Sequence, residues 1–224
     1  GAAVTYGGIY SPGNAAVTSN REDPSAPSAS SKIESLVDEH CEGGDSFGAN
    51  VSKGTHCTET PSDLTGLTID TSDGDVNIII NDVDDLGLAD AGDITVDGGG
   101  TASVYFNSGA GIDISGGDSF NVNSDPEQFL LYVHSDTDEI AFNGNVDYVG
   151  GIYAPNSRLT GSSGQCGGGG GGNIKITGSV VVDEFCFQSG SAEFIHDDRM
   201  NDIDPELGAD TVKYLHVSEN VVRI

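Results

Sequence analysis

At 224 residues the chain suffices for one β domain with a sizeable core, or for a domain with an appendage. Eight Lys and Arg stand against 36 Asp and Glu, a formal net charge of -28. Nucleic acid and anionic membrane surfaces are disfavoured as partners, because no basic patch exists to release counterions. Disorder is disfavoured too: 36% of residues are hydrophobic, and the acids are interleaved with Val, Ile, Phe and Tyr rather than gathered in tails. A folded protein with a carboxylate surface, suited to near-saturated salt where screening is short-ranged, fits best.

Residues 1–19 read as a β segment. The abrupt start Gly1-Ala-Ala-Val is taken as the mark of a removed leader or anchor. Within this segment Val4, Tyr6, Gly7-Gly8-Ile9-Tyr10 and Pro12 nearly repeat the pattern of Val146, Tyr148, Gly150-Gly151-Ile152-Tyr153 and Pro155. A near-copy of an internal segment can pair where an extra coil would sit. Val4, Tyr6, Ile9 and Tyr10 are therefore the expected subunit-pairing residues.

Residues 20–63 are expected to form a Pro- and Ser-rich linker, one short helix and a disulfide loop. The helix falls over 30–40, with a Ser cap and with Ile33, Leu36 and Val37 on one face. It is placed as a cap over an end or flank of the strands that follow. The four cysteines contain no Cys-x-x-Cys pair, which argues against zinc and redox motifs. They fall into two local pairs, Cys41 with Cys57 and Cys166 with Cys186, as disulfides of an exported protein would. Asn50-Val-Ser52 is a glycosylation sequon.

Residues 64–198 carry the regular part. Short apolar runs at 67–70, 76–80, 94–96, 102–106, 112–114, 120–122, 129–133 and 139–142 alternate with Gly, Asp, Asn and Ser corners. Further runs at 146–160, 174–176, 180–182, 185–187 and 192–196 follow the same style, with a Gly-rich loop over 161–172. Apolar positions alternate with Asp, Thr, Asn and Ser, so one face of each strand is expected to be buried and the other wet. Corners too short for hairpins or crossover helices indicate an all-β, right-handed parallel β-helix, a β-solenoid. A β-sandwich is the competing fold. Residues 199–224 are expected to form a loop and a strand pair, turning at Ser218-Glu-Asn220.

Asp70, Asp73 and Asp75 have the alternate spacing of a calcium loop but no distal Glu, so Ca2+ is the sole cofactor in view. Asp82, Asp84 and Asp85 form a second acidic group, and His196-Asp197-Asp198 a third. For all three the competing reading is a solvated acidic corner. No catalytic constellation emerges. The bases are scattered, and with 36 acids a glycosidase-like carboxylate pair arises by accident. An enzyme is not expected.

Phe142-Asn-Gly-Asn-Val-Asp-Tyr-Val-Gly-Gly-Ile-Tyr-Ala-Pro-Asn-Ser157, then Ile176-Thr-Gly-Ser-Val-Val-Val182 and Ser189-Gly-Ser-Ala-Glu-Phe-Ile-His-Asp-Asp198, resemble the C-terminal β-helix domain of pilus-associated surface proteins. Lys213-Tyr-Leu-His-Val-Ser-Glu-Asn-Val-Val-Arg-Ile224 resembles haloarchaeal pilin-like surface proteins. The resemblance implies an extracellular structural protein of a pilus or filament and brings no catalytic residues with it. The expected partners are further copies of the chain and other cell-surface proteins. A non-polymeric adhesin that binds through the 41–57 and 161–172 loops is the alternative.

Overall fold

The structure is a computed structural model. It describes residues 9–10, 29–42, 47–60, 64–82, 93–109, 111–121, 124–161, 172–186, 191–202 and 221–223. It is mostly strand with one helix, and its stacked parallel strands form a β-solenoid of about four turns.

Three sheets bound the solenoid. Face 1 opens with β2 (Asn50–Ser52), β4 (Thr68–Asp70) and β6 (Thr95–Asp97), stacked in parallel. A bridge from Ile94 to Phe120 carries it on to β9 (Ser119–Phe120). The first parts of β12 (Val146–Thr160) and β13 (Asn173–Cys186), then β14 (Ser191–His196), complete it. Face 2 stacks β3 (Gly54–Thr58), β5 (Val76–Asn81), β7 (Ala102–Asn107), β10 (Phe129–Val133) and the middles of β12 and β13. Face 3 stacks β8 (Ile112–Gly116), β11 (Glu139–Gly144) and the ends of β12 and β13. β1 (Ile9–Tyr10) lies parallel on the last rung of face 3, and β15 (Val221–Arg223) lies antiparallel on β14.

Like stacks on like inside. Ile78, Val104, Leu131, Ile152 and Val180 form one inward column on face 2. Ile94, Phe120, Tyr148, Ile176 and Phe194 form another on face 1. Polar side chains tie the rungs at the edges: Asn107 Nδ2 donates to Asn81 Oδ1 at 2.8 Å, 26 residues away. Such stacking is why the chain repeats a strand-and-corner pattern without a fixed sequence motif.

β12 and β13 do not break where sequence places a turn. Each runs unbroken from face to face through a glycine, Gly150 (φ 157°) and Gly178 (φ 138°). A Cβ on Gly178 would sit 2.0 Å from the Gly150 carbonyl oxygen, and one on Gly150 would sit 2.3 Å from that of Phe129. The corners can turn this tightly because successive layers lack side chains there.

Three expectations change. Residues 50–58, expected as loop, form β2 and β3, so the stack begins before residue 64. This end rung buries only Val51, Cys57 and Thr58, too few apolar positions to show a strand pattern. The α1 helix (Ser30–His40) lies on the outside of face 2, contacting β3, β5 and β7, which is the flank placement expected for it; the second change is at its start. Its N-cap is Ala29, without a side-chain bond. Ser30 Oγ instead donates to Ser135 Oγ and accepts the Ser135 N–H, both at 2.8 Å.

The third change is the wet face expected of every strand. Face 1 matches, because Val51, Ile69 and Val96 point inward while Asn50, Ser52, Asp70 and Asp97 are exposed. Face 2 is apolar on both sides. Cys57, Ile79, Tyr105, Tyr132, Tyr153 and Val181 form an outward column that is also buried, beneath Ala29, Ile33 and Met200. The Tyr105 and Tyr132 rings stack 5.1 Å apart. Cys41 is joined to Cys57 by a disulfide, which ties the end of α1 to β3. In the chain-entropy model, closing a loop of 16 residues contributes about 3 kcal/mol.

Candidate functional site

The last coil is where the solenoid has something left to offer. On each face β13 presents an outer edge, and the three edges differ. On face 1, residues 173–178 pair with β14, which pairs with β15 in the register Glu193 to Arg223 and Ile195 to Val221. On face 3, Phe185 and Cys186 pair with Ile9 and Tyr10 of the same chain. On face 2, among the described residues, no strand lies outside 179–182.

The core at this end is incompletely covered. Val180, Phe185 and Phe194 pack on the inner cluster but stay partly exposed, with the Phe185 and Phe194 rings edge to face at 5.2 Å. Open ends of this kind expose unpaired backbone donors and acceptors and invite a further strand.

The chain leaving β14 is held firmly to the flank. Arg199 donates to Asp197 through Nε at 2.9 Å and Nη2 at 2.8 Å, and to Asp125 through Nη1. Hydrogen bonding to Arg199 holds the Asp197 carboxyl below the usual range, and the Arg199 guanidinium is raised by its bonds to Asp197 and Asp125. Met200 then fills the space that Gly151 leaves, where a Cβ would stand 2.9 Å from Met200 Cε and Leu130 Cδ2.

Scarce bases serve as ties between layers. Arg158 stacks between Glu139 and Glu184 on face 3 and bonds Glu139 at 2.9 Å. Lys175 stacks between Asp147 and Glu193 on face 1, with Nζ 3.9 Å from Asp147. Both positions reduce repulsion along a column of acids.

Of the expected pairing residues, Ile9 and Tyr10 pair within the chain, while Val4 and Tyr6 lie outside the described residues. Cys186 is disulfide-bonded, and its expected partner Cys166 lies outside them too. Asn50 is exposed at the start of β2, on the first rung. The expected calcium loop is a stacking corner. Asp70 accepts the Ser72 N–H at 2.9 Å, and hydrogen bonding to the Ser72 side chain, then to that N–H, holds its carboxyl low. Asp75 accepts the Thr101 N–H of the next coil at 2.8 Å. With two of the three turned to backbone, Asp70, Asp73 and Asp75 do not gather, and no group of three or more His, Cys, Asp or Glu suited to a metal occurs among the described residues. Asp82 is buried, whereas Asp84 and Asp85 lie outside the described residues. His196 Nε2 is 3.7 Å from Asp198, while Asp197 turns to Arg199.

Sequence reasoning missed the 179–182 edge and the Arg199 clamp. The signal for the edge was present: Val180-Val-Val182 is apolar throughout, as befits a strand covered on both sides. Nothing local marked Arg199, whose partner Asp125 is 74 residues away. No helix among the described residues is long and apolar enough to cross a membrane.

A family model matches residues 12–203, and its description is a domain of unknown function, DUF7305. No curated protein and no solved structure matches the chain.

Proposed function

The chain belongs to the DUF7305 family, and on that premise we propose that it is an extracellular structural protein whose copies assemble by β-strand pairing at the last coil. The observation that carries this reading is the place of Ile9–Tyr10. A strand from the opposite end of the sequence sits parallel on β13, where the next coil would lie. An edge filled by a distant terminal segment in one chain can be filled by the same segment of another, since the main-chain bonds are identical.

Other features agree. The Cys41–Cys57 disulfide suits an oxidising, exported setting. The surface acids suit high salt, where repulsion between copies is screened and apolar contacts strengthen. The resemblance to pilus-associated surface proteins points the same way.

Electron microscopy of the purified protein in about 1 M salt and above, where the screening length falls to about 3 Å, tests the proposal. Filaments or regular oligomers are expected. Single particles of monomer size at every salt and protein concentration would overturn it.

A further inference from the structure

Resting on the assembly reading above, we propose that the joining site is the outer edge of β13 over 179–182, filled by Gly8-Ile9-Tyr10 of a second copy. The register sets Gly8 on Ser179, Ile9 on Val180 and Tyr10 on Val181, in parallel.

Gly151, Ile152 and Tyr153 of β12 pair with Ser179, Val180 and Val181. The N-terminal Gly7-Gly8-Ile9-Tyr10 repeats Gly150-Gly151-Ile152-Tyr153 residue for residue. In a parallel stack each column asks the same of every layer. The column through Ile78, Val104, Leu131, Ile152 and Val180 asks for an apolar residue pointing inward, and Ile9 supplies it. The outward column through Tyr105, Tyr132, Tyr153 and Val181 is the tyrosine column, and Tyr10 continues it. In the column Leu130, Gly151 and Ser179 the last two layers are small and lie beside Met200, and Gly8 is small again.

The pairing within one chain uses only half of this likeness. There Ile9 continues the apolar column Ile112, Ile140, Leu159 and Phe185, but Tyr10 faces Cys186 on a column through Ala141 and Thr160 that holds no tyrosine. Face 2 matches both residues and face 3 only the first. Val180 at the open edge is partly exposed, so covering it by Ile9 removes apolar surface from water while the main chains pair. A copy that gives its segment to one neighbour and takes one from a second extends into a filament, whereas reciprocal exchange closes a pair.

Two populations test the site, one tagged and carrying Ile9→Cys, the other untagged and carrying either Val180→Cys or Phe185→Cys. Any cross-link between the tagged and untagged chains is intermolecular by construction, and among the described residues no native cysteine is free to compete. Tyr10→Cys with Val181→Cys gives a second pair on the outward side, should Val180→Cys fold poorly. Mixed at high salt and oxidised, the 9–180 and 10–181 pairs are expected to cross-link at least tenfold more than 9–185. A 9–185 product alone would overturn this register and leave the assembly reading standing. No product from any pair, in mixtures that light scattering finds oligomeric, would move the joint elsewhere, for instance to the β3 edge, and overturn the site. No product and no oligomers would overturn both.

Discussion

Faces 1 and 2 belong to the same coils and are built on opposite terms. Face 1 opens with three three-residue strands, β2, β4 and β6, with one inward apolar residue each and Thr, Asn, Ser and Asp outside. Face 2 is made of five- and six-residue strands that bury apolar side chains on both sides. One sheet can face salt water unaided; the other needs α1 and Met200 laid over it. The difference teaches that within one coil a covered sheet and a wet sheet need different side-chain patterns, and the assembly proposed above uses the covered one. A doubly apolar strand is a good sheet partner, so leaving its last edge open is costly unless something fills it.

The corner between the two faces offers the largest test. Gly178→Ala would place a methyl against the Gly150 carbonyl. A loss of about 4 kcal/mol or a failure to fold is expected from backbone strain of this kind, read from the denaturant midpoint. A near-neutral result would mean that the coils are not stacked as described.

The outward sides come next. Ile79→Ala, on the covered side of face 2, is expected to cost about 3 kcal/mol, whereas Thr68→Ala, on the wet side of face 1, should stay within about 0.5 kcal/mol. Equal losses would erase the distinction between the faces. Reduction of Cys41–Cys57 should lower stability by about 2–3 kcal/mol and loosen α1. Faster amide exchange in α1, with face 1 unchanged, would mark the effect as local.

Tyr148 sharpens the view of the shared core. Its hydroxyl donates to the Gly151 carbonyl at 2.9 Å, and burial, helped by Tyr132, pushes its pKa well above the usual 10.0. A raised pKa means stability that is full below about pH 10 and lost as pH climbs beyond it, because only the unfolded chain ionises readily. Tyr148→Phe is expected to cost about 1 kcal/mol at neutral pH, and to flatten the alkaline fall in melting temperature. The smallest effect belongs to the flank clamp. Asp197 is held below its ordinary pKa by Arg199, so its contribution is present above about pH 4 and disappears as pH falls through the lower folded value. Arg199 is half exposed and salt screens the pair, so Asp197→Asn should shift acid unfolding by no more than a few tenths of a kcal/mol.

Much of the fold was legible. The alternating runs and the Gly/Asn/Asp corners identify stacked short strands, because side-chain period and corner chemistry are local properties. The runs Ile78-Ile79-Ile80 and Phe129-Leu-Leu-Tyr-Val133 also carried, unread, the sign of a sheet covered on both sides. The first coil escaped because an end rung has neighbours on one side only and needs few apolar residues. The candidate site was legible by half. The near-copy at the N-terminus flagged Ile9 and Tyr10, but the flank made by Arg199, Asp125 and Met200 is brought together from positions far apart in sequence. The acidic triplet at Asp70, Asp73 and Asp75 misled because a carboxylate that caps a backbone N–H is spaced much like one that binds calcium.

The central claim is that the N-terminal strand joins one copy to the next at the last coil. Sedimentation velocity over a concentration series, in about 1 M salt, compares the intact chain with one lacking residues 1–12. The account predicts that the intact chain grows in mass with concentration while the shortened chain stays monomeric. An intact chain that remains monomeric throughout, or a shortened chain that assembles equally well, would contradict it.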